Sequence, residues 1–267
     1  MQKSRWGSAG FFFALYTGAA AQYNVPRHKI CKKELHSMAR SDPHPARQMS
    51  ESFRMVLFLS LSGGLQDAYT YLGRGSVFAN AQTGNIVFMG QALLEGNWSR
   101  LPHYLVPVTA FALGVAAAEL IRLVSHESRL HWRQTVLLAE ILLLFGVGFM
   151  PETMNLAANA LVSCTCAIQV QAFRKVHGYP FASTMCIGNL RSGMDSLVTG
   201  LRLHDRALLR KSGHYFAVIL LFALGAGLGA RGVAYFGLRT IWLSCALLCV
   251  SLCFMFRKPA EAPAPQQ

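Results

Sequence analysis

Apolar and polar positions fall in long blocks along the chain. Eight apolar segments can be drawn, at about 53–72, 77–94, 104–124, 135–150, 156–173, 181–199, 214–231 and 236–256. Several approach the roughly 20 residues that a helix needs to cross a bilayer. The clearest are Tyr104–Val124 and Arg239–Phe256, the latter bounded by Arg257 and Lys258. Short basic loops separate the segments, which is the pattern of a polytopic membrane protein. The expected fold is all-α, a transmembrane helical bundle spanning residues 49–257. Residues 258–267 are rich in proline and alanine and read as a disordered tail.

Composition agrees with that pattern. The chain has 267 residues, of which 53% are hydrophobic and 14% charged. An ordinary soluble chain carries roughly 25% charge, so the charged surface of a globular domain is missing. The net charge of +13 does not point to nucleic acid. Its basic residues sit before the first span and in the short loops, where they set orientation against an anionic leaflet. No finger spacing, helix-turn-helix or aromatic-basic groove accompanies them. The expected partners are membrane lipid and an unknown small solute or ion, with the oligomeric state left open. The location implied is a bacterial cell membrane, with several passes and the N-terminus cytoplasmic.

The seven cysteines form no secreted disulfide framework. Cys164 and Cys166 are too close for the usual structural zinc pair. Cys245, Cys249 and Cys253 share one helical face as small, soft apolar side chains. No metal site, cofactor or catalytic residue is expected.

Residues 1–48 leave three readings open. Lys3 and Arg5 precede the apolar run Phe11–Ala21, which suits a short signal peptide. A basic tail, or a mis-assigned start with Met49 as the true one, fits as well. So does an extra membrane anchor.

The chain carries an internal repeat, with halves at about 53–150 and 156–256. Gln66 and Gly75 recur as Gln169 and Gly178, and Phe78-Ala79 as Phe181-Ala182. Gly84-Asn85 returns as Gly188-Asn189, one residue further on, and His103-Tyr104 as His214-Tyr215. Phe111-Ala-Leu-Gly114 returns unchanged as Phe222-Ala-Leu-Gly225. If all eight segments cross, the loop arginines and lysines divide evenly between the two sides. If the second segment of each half does not fully cross, twelve fall inside and four, Arg74, Arg100, Arg231 and Arg239, outside, the expected asymmetry. The chain is therefore read as six spans in two inverted sets of three, each set with an extra broken or re-entrant Gly-Asn segment.

Asn80, Gln82, Thr83, Gly84 and Asn85 interrupt the first of those segments, and Thr184, Gly188, Asn189, Arg191, Gly193 and Asp195 the second. Backbone broken at membrane depth must be shielded by protein or line a wet cavity. Paired broken elements in inverted repeats are one way to build a central solute site. Interfacial half-helices without a function are the alternative.

The motif Ser62-Gly-Gly-Leu-Gln-Asp-Ala-Tyr-Thr-Tyr71, followed by Phe78-Ala-Asn-Ala-Gln-Thr-Gly-Asn85, resembles the YoaK-like family of bacterial membrane proteins. The resemblance covers about residues 50–256, and the chain departs from it at Gln82, where the family often has Met. It implies about six membrane helices and carries no reaction over.

Candidate residues for a solute or ion site are Gln66, Asp67, Thr83, Asn85, Gln169, Asn189, Arg191 and Asp195. Asp67 lies inside the first span, where an ionisable group is costly and faces protein. Gln66 and Gln169 occupy matching positions. Arg191 and Asp195 are four apart and share a helical face. Glu119 and Glu140 fall in apolar runs and are candidates for a proton relay. Together these features point to a transporter or channel for a small solute or ion. A non-catalytic membrane partner or assembly factor, and a membrane enzyme acting on a lipid-like substrate, are the alternatives.

Overall fold

The computed structural model describes residues 53–124, 129–176, 179–180, 184 and 186–256. The readings made for residues 1–48 and 258–267 lie outside the described residues. Residues 47–267 belong to one compact unit.

Among the described residues there are eight α-helices: α1 (Phe53–Gly73), α2 (Gln82–Leu94), α3 (Leu101–Val124), α4 (Arg129–Val147), α5 (Asn155–Ala172), α6 (Cys186–Leu203), α7 (Arg206–Phe236) and α8 (Ile241–Phe256). A two-residue hairpin, β1 (Lys175–Val176) with β2 (Tyr179–Pro180), interrupts the helical pattern between α5 and α6. The helix expected from about residue 77 begins only at Gln82, and the one expected from about 181 begins at Cys186. A short irregular stretch, 74–81, precedes the first.

Among the described residues, three stretches are long and apolar enough to cross a membrane: Leu101–Leu123, Glu152–Ala172 and Arg206–Phe256. The last contains both α7 and α8. Helix α1 is long enough but carries polar side chains inward. Ser62, Gln66, Thr70 and Arg74 recur every four residues and are all fully buried. Leucines such as Leu113, Leu120, Leu142, Leu220 and Leu228 stay exposed. This is a membrane arrangement: lipid accepts the apolar face, and polar groups must find partners within the bundle.

Helix directions follow from which ends meet. The Asn159 side chain on α5 donates to the Arg74 carbonyl just beyond α1, at 2.9 Å. Arg74 in turn donates to the Val147 carbonyl that ends α4, at 2.9 Å. Gly73 faces Val233 of α7, and Trp242, at the start of α8, donates to the Phe145 carbonyl at 3.1 Å. At the opposite end the Ser251 hydroxyl of α8 reaches the Met55 carbonyl of α1, and Gln171 of α5 donates to Glu119 of α3 at 2.6 Å. So α1, α4 and α7 run one way, and α3, α5 and α8 run the other.

The closest crossings are made by glycine. A side chain at Gly225 of α7 would strike the Leu61 carbonyl of α1, and one at Gly64 would strike the Phe222 carbonyl. Gly114 of α3 meets the Cys164 carbonyl of α5 in the same way. Small residues let helix backbones approach where lipid offers no hydrophobic drive to associate. Packed pairs come in matching sets: α1 with α7 and α5 with α3, α2 with α3 and α6 with α7, α1 with α8 and α5 with α4. Exchanging α1–α4 for α5–α8 leaves the set unchanged.

Candidate functional site

The stretch between α1 and α2 is built around two side chains. Asp67, buried in α1, accepts the backbone N–H of Asn80 at 2.7 Å. The Asn80 amide donates to the Gly63 carbonyl at 3.1 Å. Asn85 folds back on the same loop. Its oxygen accepts the Phe78 N–H at 2.9 Å, and its amide donates to the Phe78 carbonyl at 2.7 Å and to Gln82 at 2.8 Å. Gln82 donates to the Ala79 carbonyl at 2.7 Å. The Phe78 ring stacks on Tyr71 with centroids 4.5 Å apart. Gly84 is required beneath it, because a Cβ there would come within 2.8 Å of the ring. The loop thus satisfies its own polar backbone, as it must away from water.

A cavity of about 900 Å³ opens beside this loop. Asp67, Asn80, Gln82 and Thr83 form one wall, and Thr184, Cys186, Gly188 and Asn189 another. Phe111 of α3 and Phe222 of α7 face it, with Val170, Gln171 and Arg174 at the end of α5. The first turns of α2 and α6 therefore border the same space. The two walls come from the two halves of the chain, and Phe111 and Phe222 each head a Phe-Ala-Leu-Gly stretch.

Behind Asp67 a polar chain runs into the core. The Cys166 thiol donates to the Gln66 oxygen at 2.7 Å. The Gln66 amide donates to Ser244 at 2.9 Å, to Ser62 at 3.1 Å and to Glu140 at 3.5 Å. Ser62 and Ser244 hydroxyls are joined at 2.6 Å. Glu140 is almost fully buried in this cluster.

The candidate residues divide accordingly. Asp67, Thr83 and Asn189 line the cavity. Gln66 lies one layer behind it, and Asn85 is buried within its own loop. Gln169 is buried in α5. Arg191 and Asp195 are exposed on α6, outside the cavity lining, and no ion pair joins them. Glu119 and Glu140 do not come together. Glu119 pairs with Arg122 near the end of α3 and accepts from Gln171, whereas Glu140 bonds to Gln66. Among the described residues, no cluster of three or more histidine, cysteine or acidic side chains forms a metal-holding group.

Asn80 and Thr184 stand out in the sequence as polar interruptions of the two segments, though not as candidate site residues, and Phe111 and Phe222 only as the heads of two Phe-Ala-Leu-Gly stretches. Arg74 was also missed. It was counted as an external loop charge, but it is fully buried. It donates to the Tyr69 hydroxyl at 2.8 Å, to Asn155 at 3.0 Å and to the Pro151 carbonyl at 3.1 Å.

Comparison with known proteins places this architecture. The family model described as "Protein of unknown function (DUF1275)" matches residues 55–254. The chain belongs to this family. It is 27% identical over 206 residues to the "UPF0700 transmembrane protein YoaK" of Bacillus subtilis (strain 168), covering 73% of this chain and 89% of that protein. No solved structure matches the chain. The match covers every helix described above and supports a membrane protein of a family whose activity is uncharacterised.

Proposed function

We propose that this protein is a transporter or channel for a small solute or ion, with its site in the cavity between the first turns of α2 and α6. The observation that carries the reading is the make-up of the walls. They are contributed by the two halves of the chain and enclose one buried carboxylate among amides, hydroxyls and aromatic rings.

On this reading the halves are an inverted duplication. Helices α1, α3 and α4 form one set of spans, and α5, α7 and α8 the other. The matching helix pairs and the alternating directions support it. At ~1.5 Å per residue, the 13 residues of α2 reach roughly 20 Å, short of a ~30 Å hydrocarbon core. Helix α2 starts beside Asp67 and ends near the start of α3, so it enters and leaves by one face. Helix α6 starts at the same cavity and ends at the start of α7, on the opposite face.

Charge supports the orientation. Arg122, Arg174, Arg202, Arg206 and Arg210 lie toward the end where α7 begins. Arg100, Arg231 and Arg239 lie toward the other, and Arg74 there is buried. By the positive-inside tendency, the end where α7 begins is cytoplasmic, as is the start of α1.

The test is flux. Protein reconstituted in liposomes is expected to accelerate uptake or counterflow of at least one solute from a panel of small ions, amines and amino acids. Gly188→Phe, which places a ring where no atom now lies within 4 Å, is expected to remove that flux while the protein stays folded in detergent. Flux no faster than in protein-free liposomes across the panel would sink the reading.

A further inference from the structure

Two side-chain oxygens on the cavity wall have no partner. They are Asn80 Oδ1 and Thr184 Oγ1. Asn80 is 5% exposed and Thr184 6%, and both border the cavity with Asp67, itself 5% exposed. Leaving such atoms buried and unbonded costs on the order of 1–3 kcal/mol each, so a pair of them beside one carboxylate calls for a ligand.

The three groups are held together at one turn of α1. Asp67 Oδ1 is fixed by the Asn80 N–H at 2.7 Å. The Asn80 amide nitrogen is spent on the Gly63 carbonyl at 3.1 Å, which leaves its oxygen as the free end. The Thr184 methyl packs on the bare Cα of Gly63, one helical turn before Asp67. Gly63 therefore brings Thr184 against the same stretch of α1 that holds Asp67 and Asn80, and a larger residue there would push Thr184 away. Asn80 comes from the stretch before α2 and Thr184 from just before α6, so the oxygens come from both sides of the cavity.

We propose that Asp67, Asn80 and Thr184 form a binding site for a monovalent alkali cation. Hard cations take oxygen ligands from carboxylate, amide carbonyl and hydroxyl groups. A single carboxylate balances a single positive charge, whereas calcium sites gather six to eight oxygens with several carboxylates. The three side chains are almost wholly covered, which suits a small ion held in the wall of the larger cavity. The inference deepens the reading of the cavity as a transport site, and names the ion that would occupy it or couple to it.

The experiment is thermal unfolding of the purified full-length chain in detergent, followed by tryptophan fluorescence. Sodium, potassium, methylammonium and N-methylglucamine chlorides are compared at constant ionic strength. Sodium or potassium is expected to raise Tm saturably above N-methylglucamine. Thr184→Val, which keeps the methyl against Gly63 and removes the oxygen, is expected to weaken the apparent affinity roughly 10-fold. Asp67→Asn is expected to abolish the response.

Equal Tm in sodium, potassium and N-methylglucamine would overturn the proposal. So would an unchanged cation response in Thr184→Val. Stabilisation by methylammonium alone would overturn it too, by assigning the oxygens to the amine head of a solute. If Asp67→Asn does not fold, saturable binding of radioactive sodium to the wild type, weakened in Thr184→Val, decides the matter. Cation binding without liposome flux removes the transport reading and leaves this site standing. Flux from a cation-insensitive protein does the reverse.

Discussion

The first turns of α2 and α6 border one cavity with different chemistry, Gln82 and Thr83 from the one and Cys186 and Ile187 from the other. Asn85 closes the Phe78–Gln82 loop with three hydrogen bonds, and Gly84 lies flat beneath the Phe78 ring. Asn189 borders the cavity, and Gly188 faces open space. Gly84 thus belongs to a clamp, whereas Gly188 lies on the cavity wall. The chemistry of the walls diverges in step. Asp67, Gln82 and Thr83 face Val170, Cys186 and Ile187. Asp67 puts a carboxylate on the first wall, and Arg174 puts a cation on the second.

The sharpest way to break this comparison is Arg74. It fastens the end of α1 to the turn between α4 and α5, through two carbonyls and the Asn155 side chain. Arg74→Ala is expected to cost about 3 kcal/mol or more, because several buried acceptors lose their donor together. Arg174, at the corresponding end of α5, is exposed. Arg174→Ala is expected to stay within about 0.5 kcal/mol of wild type. Thermal unfolding of both variants in detergent checks the contrast, and equal losses would mean that the two stretches are not held differently.

A smaller effect separates the two glycines. Gly84→Ala forces a Cβ into the Phe78 ring and is expected to destabilise by about 1–3 kcal/mol. Gly188→Ala meets nothing within 4 Å and is expected to leave Tm unchanged or slightly raised, since alanine suits a helix better than glycine by about 1 kcal/mol. Similar losses at both sites would remove the distinction between clamp and wall.

How much of this was readable beforehand follows from what sequence encodes. The apolar blocks predict the bundle, because lipid-facing residues must be apolar whatever their neighbours. The Gly-Asn segments could be singled out because glycine and asparagine are poor occupants of a lipid-facing helix. What asparagine bonds to is another matter. Asn85 turns back on its own loop, and that depends on a backbone path no periodicity shows. Arg74 sits beside a glycine turn and reads as a loop charge, yet it is buried because α4 happens to end against it. The spacing of Arg191 and Asp195 puts both on one face of α6, but spacing does not say whether that face is covered. Thr184 emerges as a lining residue only when α6 is laid against Gly63 of α1. Contacts between segments more than a hundred residues apart have no local signature.

The central claim is that α2 and α6 reach one cavity from opposite faces of six spans. The most direct test is sidedness. Single cysteines at Asn97, Glu152, Arg174 and Arg206, in a chain whose native cysteines are replaced, are exposed to an impermeant thiol reagent in intact cells. The account expects labelling at Asn97 and Glu152, and protection of Arg174 and Arg206 until the membrane is opened. Labelling of Arg174 and Arg206 from outside, together with Asn97, would contradict it.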